Sequence, residues 1–469
     1  MNKLIISACS IAVAAALITP KLVSNHVKSQ VEDIVAEVNA IHGYQATIAE
    51  LNSDWFNTTG KVRLNIDFVE LGADDVQDVL DNFYIDVNID AQHGPILTKA
   101  ESLIGLVSMS VNLSHQDLRN YLSWDAEKPL YNASVLTDIL GNTSYVDVIQ
   151  PFTITDEENA VRVSYEGFEG AGEYNSGSLS YVGKSKPTNI TVEDVKMYIG
   201  DIDVDMVAQA SFADMLQTGL YDSESTFTVN TFTLNNETED VNAKLDNISI
   251  EAISKVDEAK DVASLALTYA IDSINAEDFK ASDMALAMEF NNISKTFVTA
   301  YQDNAEMFSQ GSEEEIQANL FKFAQENLLP LLTSEPEFKI TSLRATLEDG
   351  IFESHFTTRL NGISQLPNIV ENPMFWLPHL SADGEIKGNK KVIESMAQMI
   401  MESQIRSNPD AAEMTEEQIA QVAQQQVPQL LQAFIQQGFI VESETEYQSN
   451  FMFKNTALTV NNNPVPFAI

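Results

Sequence analysis

Phe83-Tyr84-Ile85-Asp86-Val87-Asn88-Ile89-Asp90 puts an apolar residue at each odd position and, Tyr84 apart, a polar one at each even position. Period two is the spacing of a strand with one face on a core and the other in water. Upstream, Val62, Leu64, Ile66 and Phe68 alternate with Arg63, Asn65 and Asp67. Downstream, Val107, Met109, Val111 and Leu113 alternate with small polar residues. Further strands are read at Val161 to Tyr165, Leu179 to Val182, Ile190 to Val207, Phe227 to Leu234, Val241 to Ile250, Leu265 to Ile271 and Met284 to Phe290. Short polar turns such as Asn57-Thr58-Thr59-Gly60 separate them. No helix long enough for a parallel crossover intervenes, so antiparallel pairing follows.

Outside this run the pattern changes. From Asn292 the composition turns helical, with Ile293, Phe297, Ala300, Met307 and Phe308 at helical spacing. Ser312-Glu313-Glu314-Glu315 reads as a capping box opening a helix through Leu332. Phe338 to Leu347 and Ile351 to Leu360 form a hairpin about Glu348-Asp349-Gly350. A proline-rich loop around Phe375-Trp376-Leu377 leads to a helix over Lys391 to Arg406. Thr415-Glu416-Glu417-Gln418 caps another, which contains Pro428 and stops at Gly438. Strands at Phe439 to Phe453 and Ala457 to Val460 close the chain. The fold class is α+β: strand-rich, elongated twisted antiparallel sheet or sheets, with C-terminal helices packed against them and an N-terminal transmembrane helix. The expected divisions are 1–23, an anchor or signal segment; 24–43, a juxtamembrane amphipathic helix; 44–291, β-rich; and 292–469, mixed, with helices near 293–332 and 391–437. At 469 residues, either two domains or one extended sheet fits.

The N-terminal reading rests on an uncharged run from Leu4 to Ile18, with Leu4, Ile5, Ile6, Ile11, Val13, Leu17 and Ile18 as its apolar body. Extended through Val23, with Lys21 snorkelling, it reaches bilayer length as a retained anchor. A cleaved signal peptide is the alternative. Val23, Val27, Val31, Ile34, Val35, Val38 and Ile41 then make a one-sided helical stripe, which packs on its own domain or on a second copy. The single cysteine, Cys9, excludes an intramolecular disulfide and a thiolate metal cluster. A formal net charge of -43 excludes nucleic acid as a partner and disfavours anionic lipid surfaces.

Chemistry is sparse in the motifs. None of the six histidines forms a metal-binding pair on a helix, there is no Gly-x-Ser-x-Gly elbow, and nothing calls for a cofactor or metal. Gly170-Ala171-Gly172 lacks the third glycine of a dinucleotide fingerprint. Asp201, Asp203 and Asp205 share a strand face, which in so acidic a chain reads as a solvated face. His93-Gly94-Pro95, at the end of the strand that opened this reading, is the one ligand-binding candidate. Gly-Pro demands a turn there, and a histidine can bind a ligand or carry a proton.

Several stretches together carry a likeness. They are the N-terminal apolar segment, Ser53-Asp54-Trp55-Phe56 with Gly60, and Gln92-His93-Gly94-Pro95. Leu328-Leu329-Pro330-Leu331-Leu332 leading to Pro336 and the terminal hairpin Tyr447 to Val460 running into Asn461 complete the set. On these the chain resembles the YdgA-like family of bacterial envelope proteins, a family of unknown function. Family members usually carry Asn-Gly in the last hairpin turn and after the last strand, where this chain has Asn455-Thr456 and Asn461-Asn462. The resemblance implies an inner-membrane anchor, a periplasmic body, a homodimer and no established activity. The expected function is a non-catalytic binding or scaffold module of the envelope, with a lipid or another envelope protein as the candidate partner. The alternative is a hydrolase using His93 with a carboxylate.

Overall fold

The computed structural model describes residues 31–32, 35–36, 38–39, 43–66, 84–98, 104–114, 119, 122–156, 160–210, 220–236, 238, 241–277, 279–304, 308, 313–366, 373–407 and 414–466. The expected transmembrane segment 1–23, with all seven anchor residues named for it, lies outside them, as does Ser312. Among the described residues no helix is long and apolar enough to cross a membrane. The chain forms two compact units. Residues 1–217 and 223–242 make the first; residues 218–222 and 243–469 make the second. The composition change at Asn292 falls within the second.

The first unit contains two antiparallel ladders. One begins with β1 (Tyr44–Ser53), β2 (Asn57–Ile66), β3 (Tyr84–His93) and β4 (Val107–Ser114), paired in that order. It continues through β6 (Tyr131–Thr137), β7 (Thr143–Ile149), β10 (Phe168–Asn175), β11 (Ser178–Ser185) and β14 (Ile202–Gln209). The other joins β5 (Ser123–Trp124), β8 (Phe152–Asp156), β9 (Val161–Tyr165), β12 (Thr188–Val192), β13 (Val195–Ile199) and β15 (Asp222–Asn236).

The core follows the sequence alternation. Ile85, Val87, Ile89 and Ala91 are buried on β3, and Val107, Met109, Val111 and Leu113 on β4. The opposite face is polar, with Asn88 donating to Asn112 and Ser110 to Asn132 across three strands. Asp86 on that face is also buried, because the Arg63 guanidinium grips both its oxygens at 2.9 and 3.2 Å. Ahead of β1, the helical residues 31–32, 35–36 and 38–39 include the buried Val31 and Val38. The Asn39 amide exchanges hydrogen bonds with the backbone of Ala46, and the chain reverses at Gly43, where φ is 82°.

The second unit is one antiparallel ladder. It runs β16 (Val241–Asp257), β17 (Val262–Ala276), β18 (Phe279–Ser294), β19 (Glu337–Leu347), β20 (Gly350–Leu360), β21 (Leu380–Asn389) and β23 (Glu446–Lys454). β22 (Val441–Glu442) and β24 (Ala457–Val460) both pair with β23, and β25 (Asn463–Val465) follows β24. Helices α1 (Lys295–Asp303) and α2 (Glu313–Thr333) contact β18. α3 (Pro373–Trp376) is one helical turn. α4 (Lys390–Arg406) and α5 (Glu416–Gln436) pack together, and α4 lies on β20, β21 and β23.

Three readings are corrected here. The first hairpin turns at 54–56 rather than at Asn57 to Gly60, and Thr58 is fully buried in β2. The helix expected from Ile293 starts at Lys295, because β18 continues through Ser294, whose hydroxyl then caps the helix on the Phe297 amide. β6, β7, β8, β10 and β21 are strands that the pattern did not announce. In β10 and β21 the reason is glycine, at positions where neighbouring aromatic rings need its space. The capping box at Thr415 forms in full, with Thr415 and Gln418 each bonding the other's backbone.

Candidate functional site

His93 is the last residue of β3 and is 3% exposed. Its backbone N–H donates to the Phe56 carbonyl at 2.7 Å. Its Nε2 lies 3.1 Å from Thr58 Oγ1, which lies 2.7 Å from Ser53 Oγ. The imidazole thus ties together both strands of the hairpin that carries Trp55 and Phe56. Burial pushes the ring below its ordinary pKa of 6.5, against the pull of the Trp55 carbonyl and the Asp54 carboxylate. The Nδ1 atom is buried and makes no hydrogen bond of good geometry. Gly94 N–H donates to the Leu106 carbonyl, and Gly105 N–H to that of Pro95. A methyl group on Gly94 would overlap the Gly105 carbonyl, which is why glycine stands there. The Gly94-Pro95 bond is cis.

This arrangement is a hydrogen-bonded clasp of His93, Thr58 and Ser53, with Ser53 exposed at its outer end. Thr58, the hydroxyl beside the imidazole, is completely buried. No carboxylate among the described residues hydrogen-bonds the ring. Proton abstraction from a hydroxyl requires the substrate to reach that hydroxyl; Thr58 is closed to it, and the imidazole reaches the exposed Ser53 only through Thr58.

Two other sequence candidates resolve into packing. Gly170 and Gly172 of β10 face Asp147 and Tyr145 of β7 and Tyr181 of β11, and any side chain there would strike those groups. Tyr145 and Tyr181 stack at 5.7 Å, and the Tyr181 hydroxyl donates to Asp147 at 3.2 Å. Asp147 is 1% exposed, and burial raises its carboxyl above the usual range, with the Tyr181 hydrogen bond opposing. The acidic strand Asp201 to Asp205 is neutralised in part by Lys184, 3.3 Å from Asp201 and 3.2 Å from Asp203.

The feature that sequence patterning reached only in outline lies in the second unit. Ile250, Tyr269, Leu286, Leu343, Ser354 and Ile386 stand directly across from one another on six successive strands. The next row on the same face reads Ala252, Leu267, Met288, Ile340, Phe356, Gly384 and Phe451. Helices α4 and α5 close one end of this face, where Tyr447 packs with Val427, Leu431 and Ile393. In the middle, Ile250, Tyr269, Leu343 and Ile386 stay between 37% and 44% exposed. Six strands make five spacings of ~4.8 Å, so the row, interrupted by Ser354, runs about 24 Å across the sheet.

The sequence profile of a family described as "Bacterial protein of unknown function (DUF945)" matches residues 1–468. The chain belongs to that family. No curated protein and no solved structure matches it. The DUF945 match covers both units, so the clasp and the apolar row lie within one family-wide chain.

Proposed function

We propose that this DUF945 chain is a YdgA-like, membrane-tethered module of the bacterial envelope, non-catalytic and dimeric, that holds an amphiphile on the sheet of its second unit. The observation that carries the reading is the open row Ile250, Tyr269, Leu343 and Ile386 on a face whose Tyr447 end is covered by helices. Large apolar side chains left half-exposed along one sheet face are a characteristic of ligand grooves. The tether, the periplasmic placement and the dimer come from the Leu4 to Ile18 run and the family resemblance. The acidic composition disfavours anionic headgroups, so the apolar chains of the ligand supply its affinity.

Native mass spectrometry of the full chain tests this, with lipid extraction of the same sample. A stoichiometric amphiphile in the wild type that is lost in Tyr269→Asp supports the groove. A chain that carries none, or a Tyr269→Asp chain that carries as much, sinks it. Tyr269 is 40% exposed, so the substitution leaves the core intact.

A further inference from the structure

A surface hydroxyl of the first unit is wired to a buried imidazole. Ser53, the last residue of β1, is exposed. Its Oγ lies 2.7 Å from Thr58 Oγ1, and Thr58 Oγ1 lies 3.1 Å from His93 Nε2. Thr58 is completely buried and His93 is 3% exposed, so of the three groups only Ser53 meets solvent freely. A hydroxyl donates and accepts at once. A proton leaving Ser53 therefore has a continuous path of hydrogen bonds to Nε2.

The path is held by the ladder rather than by a loop. Ser53 and Thr58 stand directly across from one another on β1 and β2, and Asn57 pairs with Gln92 beside His93. The His93 N–H, bonded to the Phe56 carbonyl at 2.7 Å, ties the third group to the same hairpin. Asp54 Oδ1 accepts from the Phe56 and Asn57 amides at 2.9 and 2.8 Å, which fixes the turn next to Ser53. The charge of Asp54 and the Trp55 backbone both favour a proton on the His93 ring, against burial. The imidazolium is thus stabilised where it would form. Among the described residues nothing accepts from the Trp55 N–H, and Trp55 is 85% exposed. A backbone donor therefore stands two residues from the hydroxyl, open to an oxyanion.

We propose that Ser53 is an acyl-acceptor serine, whose hydroxyl attacks a carboxylic ester while Thr58 passes its proton to His93. Ser53 Oγ bonds to the carbonyl carbon as its proton moves to Thr58 Oγ1 and the Thr58 proton moves to His93 Nε2. The tautomer with the ring proton on Nδ1 carries this step, because Nε2 must accept. The ester carbon–oxygen bond then breaks, and the leaving oxygen takes a proton back along the same relay. The products are acyl-Ser53, the free alcohol and a neutral imidazole. Trp55 and the 64%-exposed Phe56, next along the chain, favour an ester with an apolar acyl group. The transfer is one acyl group to one chain and does not depend on the groove of the second unit.

Incubation of the folded full chain with p-nitrophenyl butyrate tests the proposal, read by p-nitrophenol release and peptide mass spectrometry. The expected result is one equivalent of release and one butyryl group, carried by Ser53 and absent in Ser53→Ala. That position is exposed, so the variant keeps its fold. Thr58→Val keeps the shape of the buried side chain but breaks the relay, and should slow acylation about a hundredfold. Thr58→Ser returns the hydroxyl and should return the rate, whereas a purely structural role for Thr58 would be served by valine. A wild-type chain that gains no butyryl group overturns the proposal, as does a butyryl group on another residue. A Ser53 rate left unchanged by Thr58→Val overturns it too. If Thr58→Val does not fold, His93→Gln decides: glutamine cannot take the proton, and an undiminished rate there overturns the relay. An empty groove in the second unit leaves each of these readings as it is.

Discussion

At the scale of one residue, His93 is bound into the first hairpin through Thr58. Burial lowers its pKa from the ordinary value, outweighing the opposing pull of the Trp55 backbone and of Asp54. The sign of the linkage follows. Above the ordinary pKa of 6.5, neither folded nor unfolded chain binds the proton, and the full stability of the unit is present. As pH falls below that value the unfolded chain protonates first, and stability is lost progressively as pH approaches the depressed folded value. His93→Gln keeps a hydrogen-bonding side chain but cannot titrate. Thermal denaturation between about pH 8 and pH 5 should show a flatter acid limb in His93→Gln than in the wild type. Equal slopes in the two chains would mean that the imidazole is not the group responsible. The His-Gly-Pro signature was legible in the sequence as a turn. That its histidine is a buried clasp was not, because Thr58, its partner, is 35 residues away.

At the scale of elements, what sequence alternation could and could not show has a simple cause. β3 and β4 place apolar residues at every second position and were readable from that alone. β10 and β21 contribute space instead of side chains. Gly384 pairs with Phe356 on one side and Phe451 on the other, and those two rings stack across it at 6.0 Å. A glycine whose role is to receive a neighbour's ring carries no apolar signal of its own. The last hairpins show the converse. Asn455 and Thr456 have φ of 51° and 61°, and Asn461 and Asn462 have φ of 48° and 63°. Both pairs are left-handed turns of the type that Asn-Gly normally makes. Asparagine tolerates that region; a β-branched threonine does not. Thr456→Gly should therefore stabilise the hairpin by about 1 kcal/mol. Urea denaturation followed by fluorescence would detect this as a higher midpoint at unchanged slope. A lower midpoint would show that the Thr456 hydroxyl contributes more than its strain costs.

At the scale of the whole molecule, charge dominates. Sixty-nine acidic residues face twenty-six basic ones. Ion pairs such as Lys244–Asp246, Lys295–Glu258 and Arg406–Glu416 are surface contacts of little individual worth. Repulsion among the excess carboxylates acts against the compact state. Raising sodium chloride from about 0.05 M to about 0.5 M shortens the screening length to a few ångströms, and the melting temperature should rise. A fall would show that the attractive pairs outweigh the net repulsion. The sequence made this property plain because net charge requires no tertiary knowledge. Division of the chain within the β15–β16 region was not legible, since one strand follows another across it without a change of composition.

The glycines of β21 have one more consequence, for how the sheet assembles. Gly384 and Gly388 are four residues apart, each flanked by aromatic residues: Phe356 and Phe451 beside the first, Phe352 and Tyr447 beside the second. A slip of two residues keeps the correct face toward the core, so hydrophobic patterning alone would tolerate it. A slip that brought Ile386 to the Gly384 position would drive its side chain into the Phe451 ring and the His355 carbonyl. The strand is thus gauged at Gly384, where the native alignment seats the Phe451 ring and a slip toward it collides. Ordinary side-chain polarity proofreads which face of a strand turns inward; here, missing side chains proofread how far along it the partners have travelled.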